Sequence, residues 1–160
     1  MAGNTPAAVR VMPDMALTGT YEPSPAQWVR EQVEAYESSG GTRGNTLRDT
    51  GLPVVIVTSV GARSGKIRKT PLMRVEHDGR YALVASQGGA PKHPTWYFNL
   101  LQDPHIELQD GPTPQAMTVR LVEGAEKKEW WDRAVQAFPN YAKYQEKTAR
   151  EIPVFVAEPA

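Results

Sequence analysis

The densest group of charged donors in this chain is Gly61-Ala62-Arg63-Ser64-Gly65-Lys66-Ile67-Arg68-Lys69-Thr70-Pro71-Leu72, where four bases fall within the seven residues from Arg63 to Lys69. Guanidinium and ammonium groups on a glycine-flanked turn, with the turn's own backbone amides, make a cradle for a phosphate or carboxylate. The run is not a phosphate loop of the nucleotide-binding kind. Only three residues separate Gly61 from Gly65, Ile67 stands where that loop needs serine or threonine, and Pro71 denies the helix that should follow. Two readings stay open: an anion cradle, or a hairpin whose basic surface is simply solvated.

A second group is Ser86-Gln87-Gly88-Gly89-Ala90-Pro91-Lys92-His93-Pro94-Thr95-Trp96-Tyr97-Phe98-Asn99-Leu100. Paired glycines at a strand end let the backbone come close to a ligand. A helix starting after Pro94 offers free amides and the positive end of its dipole. Trp96 suits contact with a planar group, although Trp96, Tyr97 and Leu100 also suit the core of a short helix. The third group, Tyr141-Ala142-Lys143-Tyr144-Gln145, comes shortly before Arg150-Glu151-Ile152-Pro153. Two tyrosines three apart share a face if the turn is helical, and a phenol both donates and accepts, as a carbonyl or quinone substrate requires. Tyrosines that only cap a core would look the same.

Other chemistry is poorly served. His77, His93 and His105 lie far apart without paired carboxylates, so no metal site is expected, and no Gly-x-Ser-x-Gly elbow supplies a nucleophile. The chain has no cysteine, which removes disulfides and thiolate ligands. An enzyme so furnished borrows its chemistry from a cofactor. The net charge is zero, yet residues 50–102 hold seven bases against two acids, a local +5 balanced by −5 elsewhere. That distribution suits one local anionic small molecule and disfavours nucleic acid, whose phosphates the acidic remainder would repel. No run nears the ~18 apolar residues of a membrane span. Residues 1–20 carry one base, Arg10, and no apolar block. Neither a transmembrane segment nor a signal peptide is therefore expected, and the expected location is the cytoplasm.

These groups must be positioned by elements that the pattern also specifies. Residues 1–22 lack periodicity and read as an arm, with one domain over 23–160. Ser24, Pro25 and Gln27 resemble a capping box opening a helix over about 25–38, with Ala26, Val29, Val33 and Tyr36 on one face. Strands are expected at 54–58, Lys69–Glu76 and 81–85, the last entered through the tight turn His77-Asp78-Gly79-Arg80. A short helix over Pro94–Gln102 follows, then strands at Ile106–Gln109 and Gln115–Val122. A second amphipathic helix carries Trp130, Trp131, Ala134, Val135 and Phe138 and stops at Pro139, before a last strand at Ile152–Ala157. Six strands joined by tight turns imply antiparallel pairing, a mainly β (α+β) fold and a small closed or partly closed barrel.

Taken in order, the motifs resemble the deazaflavin-dependent nitroreductase and quinone reductase family of actinobacteria. The likeness rests on Gly-x-x-Ser-Gly-x-x-Arg-x-x-Pro-Leu from Gly61, Gly-Gly-x-x-x-x-Pro-x-Trp-Tyr-x-Asn-Leu from Gly88, and the Tyr-x-x-Tyr-Gln and Arg-x-Ile-Pro of the last segment, over roughly residues 50–160. It implies a split β-barrel of the flavin mononucleotide-binding kind and coenzyme F420 as cofactor. The phosphate and polyglutamate tail of that cofactor is expected on Arg63, Ser64, Arg68, Lys69 and Thr70. Further contacts fall on Val84, Ala85, Ser86 and Gln87, then on Thr95, Trp96, Tyr97, Phe98 and Asn99. Tyr141 is expected near the cofactor ring and Tyr144 beside the substrate; Tyr144, Tyr141 or Ser86 would orient the substrate or stabilise developing oxyanion charge. Two positions depart from the family pattern: Gln87 stands where lysine occurs, and Met73 where a tyrosine lines the pocket of the nitroimidazole-activating enzyme.

The implied activity is hydride transfer from C5 of reduced deazaflavin to quinones, unsaturated lactones or coumarin-like rings. Nitroimidazole reduction stays open, as do the proton donor and the choice between monomer and dimer. Two rivals remain: a flavin mononucleotide-dependent reductase of the same fold, and a non-catalytic carrier of the deazaflavin.

Overall fold

β-branched residues buried on both faces mark the centre of the sheet. In Val54–Val60 (β1) the first six residues are all buried, and side chains of a strand alternate between its faces. Val54 and Ile56 accordingly join one apolar cluster and Val55 and Val57 another. The computed structural model describes residues 17–47 and 50–160. After helix α1 (Gln27–Ser39) and β1 come β2 (Ile67–Met73), β3 (Glu76–His77), β4 (Arg80–Val84), a single 3-10 turn at Gln87–Gly89 and helix α2 (Thr95–Gln102). The chain continues through β5 (His105–Gln109), β6 (Pro114–Leu121), α3 (Gly124–Ala137), α4 (Asn140–Lys147) and β7 (Val154–Pro159).

The strands form one antiparallel sheet in the order β2-β1-β5-β6-β7-β4-β3. Its two edges, β2 and β3, are joined by Arg74 and Val75 alone. Two residues span at most ~7 Å, so the sheet must curl until its edges nearly meet. The result is the expected α+β architecture of split-barrel type. Inside the curl lies a cluster drawn from β1, β4, β5, β6 and β7, plugged at one end by Leu100 of α2. The outer faces of β1, β4 and β7 carry the second cluster, roofed by Tyr36 of α1, Trp130 and Ala134 of α3, and Tyr141 of α4.

Two local expectations are corrected. The strand expected over Lys69–Glu76 is broken, because the chain there crosses from one sheet edge to the other. Val75 is buried in the seam and accepts the Ala82 amide at 2.9 Å. That crossing makes seven strands among the described residues where six are expected. The first helix starts at Gln27, not Pro25, and no side chain caps it; the Ser24 hydroxyl accepts instead from the Ala26 amide at 3.1 Å. Of the arm expected over 1–22, residues 1–16 lie outside the described residues. Its end is laid along β2: the Glu22 amide donates to the Ile67 carbonyl, and the Ile67 amide to that of Thr20, both at 2.9 Å. The tight turn at 77–80 has left-handed φ of 54° at Asp78 and 77° at Gly79, the backbone of a two-residue hairpin loop.

A polar tie spans the seam. Asp110 Oδ2 accepts from Arg74 Nε and from the Tyr81 hydroxyl, each at 2.7 Å. Burial, then the bond to Asp110, drives the Tyr81 pKa upward, so the phenol stays protonated as a donor. Asp110→Ala should leave both donors without an acceptor and lower unfolding stability by roughly 1–3 kcal/mol, read from urea denaturation; an unchanged midpoint would show that the tie contributes nothing.

Candidate functional site

Strand register gathers the three chemistry-bearing segments at one end of the barrel. The end of β1 pairs with the start of β2 (Val60 with Ile67), and the start of β5 with β6 (His105 with Thr118). The end of β4 pairs with the start of β7 (Val84 with Val154). The basic turn, the segment from Ser86 to α2, and Arg150–Pro153 therefore all emerge at the same rim. The Arg74–Asp110–Tyr81 tie sits at the opposite one.

On this rim is a cleft of about 950 Å³, large enough for a cofactor-sized ligand. One wall is the turn: Gly61 donates its amide to Lys66 O at 2.8 Å, Gly65 donates to Gly61 O at 3.0 Å, and Ser64 Oγ accepts the Lys66 amide at 3.1 Å. Gly65 holds φ 70°, a conformation a side chain resists. The facing wall is the start of α2, which no side chain caps and where Pro94, Thr95 and Trp96 line the cleft. Asn99 joins the walls. It is 5% exposed, and its Oδ1 accepts the Ala62 amide at 2.9 Å.

The cleft brings together Arg63, Ser64, Arg68, Thr70, Gln87, Thr95, Trp96, Phe98 and Asn99. Alternation along β2 explains the basic set: Arg68 and Thr70 share one face, and Lys69 points to the other. Lys69 pairs there with Glu37 of α1 and lies over the Tyr21 ring. Arg68 is paired with Glu22 at 3.0 Å. Among the described residues, Arg63 has no carboxylate partner. Trp96 does two things, lining the cleft while its ring lies 6.1 Å from Phe155 of the interior. Tyr97 packs inward against Phe155 and His93.

The remaining expected residues are not in the lining. Val84, Ala85 and Ser86 are buried. Tyr141 is 4% exposed among Trp131, Phe138 and Tyr144; burial first, and the Tyr144 phenol second, raise its pKa, so it stays a neutral phenol. Tyr144 lies half-buried on the same helix. The close approach of Gly89 is to that helix: a Cβ at Gly89 would stand 2.8 Å from the Tyr144 carbonyl oxygen. Gly89 thus seats α4 against the 3-10 turn, while no atom beyond its chain neighbours stands within 4 Å of a Cβ at Gly88.

Arg150 fixes this loop. Its guanidinium donates to the carbonyls of Ala85 (3.1 Å), Ser86 (2.6 Å) and Ala90 (2.8 Å), and lies 3.0 Å from His93 Nδ1. Gln145 secures Arg150 in turn, donating to its carbonyl at 2.8 Å and accepting the Ile152 amide at 3.0 Å. Sequence reading marks Arg150 only as part of a motif, and leaves Glu22 in the arm. Partners some sixty and forty-six residues away leave no local signal.

The residues present fit a planar, polyanionic cofactor: an uncapped helix start, Arg63 and Arg68 at one side, and the aromatic Trp96 beside them. Among the described residues, no three of His, Asp or Glu are grouped as metal ligands, and no helix is long and apolar enough to cross a membrane.

Comparison with known proteins agrees. Residues 28–159 match the profile of the F420H(2)-dependent quinone reductase family. An F420H(2)-dependent quinone reductase of Mycobacterium tuberculosis (strain ATCC 25618 / H37Rv) is 30% identical over 133 residues, 81% of this chain and 89% of the relative. A solved structure described as an F420-H2 dependent reductase is 54% identical with TM-score 0.64, covering 66% of this chain and 94% of its own. Another, described as a domain-swapped dimer, is 51% identical with TM-score 0.66, covering 84% and 100%.

The Arg150 contact has a pH signature. Burial, and secondarily Arg150, hold the His93 pKa below its ordinary 6.5, so on acidification the unfolded chain takes up this proton first. Stability tied to neutral His93 is present above that value and is lost as pH falls through it toward the folded pKa. Unfolding midpoints should therefore drop as pH falls below 6.5, and drop less in His93→Gln. Equal drops in both proteins would mean that His93 is not the group responsible.

Proposed function

We propose, for a chain that belongs to the F420H(2)-dependent quinone reductase family, that the rim cleft holds coenzyme F420 and that quinones are the acceptors reduced there. The chain is an oxidoreductase, and coenzyme F420 is its cofactor. The observation carrying the site assignment is the cleft itself, with two guanidinium groups and an uncapped helix start beside an aromatic wall. When bound, the reduced deazaflavin supplies a hydride from a ring carbon.

The protein's part is positioning. Arg63, Arg68, Ser64, Thr70 and the first amides of α2 bind the phosphate and carboxylates of the tail. Trp96 and Gln87 flank the planar portion, and Asn99 keeps the walls at fixed separation. Arg150 holds Ala85 and Ser86 in place, so the backbone behind the ring does not yield. Tyr144 lies outside the cleft lining, on α4 against the 3-10 turn that carries Gln87; from that side it orients the acceptor oxygen and stabilises its growing negative charge, while buried Tyr141 holds the Tyr144 ring edge-on at 6.3 Å. Unsaturated lactones and coumarin-like rings are extensions of the same reading, since each presents an electrophilic carbon conjugated to a carbonyl. A cytoplasmic location belongs to it as well.

Two measurements test this. Arg63→Ala and Arg68→Ala should each weaken binding of the coenzyme roughly 10- to 100-fold, the equivalent of ~1.5–3 kcal/mol per charged hydrogen bond, as read by tryptophan quenching. Tyr144→Phe should lower kcat/KM for menadione about tenfold, since a bond strengthened in the transition state is lost, while coenzyme affinity stays near wild type. Wild-type affinity in both arginine variants would remove the tail from this cleft. Normal turnover in Tyr144→Phe would leave that tyrosine a structural role. Tighter binding of flavin mononucleotide than of the deazaflavin would favour the flavin reading of the same fold.

A further inference from the structure

The cleft already contains one carboxylate. Glu22 lines it and pairs with Arg68 at 3.0 Å, with Glu22 43% and Arg68 31% exposed. It is not there by chance of a long side chain. Residues 19–22 are laid on the edge of β2: the backbone bonds of Thr20 and Glu22 to Ile67 fix their register, and Tyr21 bridges to Ile67. Gly19 holds φ +139°, and a Cβ there would stand 2.7 Å from the Gly65 carbonyl oxygen, so the segment is pressed against the basic turn itself. On the reverse face of β2, the Tyr21 ring lies 5.2 Å from Lys69 Nζ, and Lys69 pairs with Glu37. The segment therefore has an anchor on each side of the strand, and Glu22 is presented to Arg68 by a fixed backbone.

Resting on the cleft assignment above, we infer that Glu22 is a specificity-determining residue: an internal anion that any ligand engaging Arg68 must displace. A neutral ligand leaves the pair intact and is held by the aromatic wall alone. A ligand with phosphate and carboxylates takes over Arg68 and meets the charge of Glu22 nearby. Glu22 thus lowers affinity for the polyanion without touching affinity for the uncharged ring. The function served is exchange. Where the spent cofactor is exchanged for a reduced one, a site with both guanidinium groups uncompensated would hold it longer.

The test compares two probes, coenzyme F420 and the deazaflavin riboside that lacks phosphate and glutamates. Glu22→Gln keeps the backbone anchors and the side-chain size but removes the charge. It should bind the coenzyme roughly three- to tenfold tighter, within the range that one partly exposed charge commands. Most of the gain should appear as slower dissociation, and binding of the riboside should not change. The gain should vanish in the Glu22→Gln/Arg68→Ala double variant. Unchanged or weaker coenzyme binding by Glu22→Gln, while Arg68→Ala still binds poorly, overturns the role of Glu22 and leaves the cleft assignment standing. Wild-type binding by Arg68→Ala overturns the inference, and wild-type binding by Arg63→Ala as well overturns the cleft assignment with it. Equal tightening toward the riboside also overturns the inference, since charge displacement predicts none.

Discussion

The two-residue link between β2 and β3 is the constraint from which the rest follows. Arg74 and Val75 must carry the chain from one edge of a seven-stranded sheet to the other. A flat sheet of that width has edges several strand spacings apart, so the link is satisfied only by a curl. Curling creates an interior for Val55, Leu83, Leu108 and Phe155, and an outer face that α1, α3 and α4 must cover. It also aligns strand ends, and so decides which loops meet.

Once the loops meet, single polar contacts hold them with little backbone of their own. Asn99 ties the basic turn to α2, and Arg150 ties the exit of β4 to the entry of β7. Both side chains serve backbone groups across long sequence separations. A carbonyl in a partly buried loop costs free energy if left unbonded, and one guanidinium meets that need for Ala85, Ser86 and Ala90 together. The loop then keeps its left-handed residues Gln87, Gly88 and Gly89 without a strand or a full helix to support them.

The electrostatics of the rim show why a count of basic residues overstates the free positive charge. Of the bases in the turn and the following strand, Lys69 is turned away by the pleat and matched by Glu37, and Arg68 is matched by Glu22. Arg63, the exposed Lys66 and the uncapped start of α2 remain among the described residues. The partners come from residues before β1, outside the basic stretch that the sequence sets apart.

Much of this was legible in the residues themselves. The alternation and β-branching of 54–58, the turn at 77–80, the apolar face of α3 and the ordered glycine, proline and tryptophan motifs all report short-range physics: pleat, turn dihedrals and helical period. They sufficed for the fold class, and the ordered motifs, through the family resemblance they carry, for the cofactor. What tertiary structure alone decided is direction and partnership. Whether Lys69 or Arg68 faces the cleft depends on a register shared with β1; whether Gly89 meets a ligand or α4 depends on where the chain returns; and Tyr141 is buried because α3 and α4 close over it. Contacts between residues far apart in the chain are set by the curl of the whole sheet, and no local pattern of residue types encodes that curl.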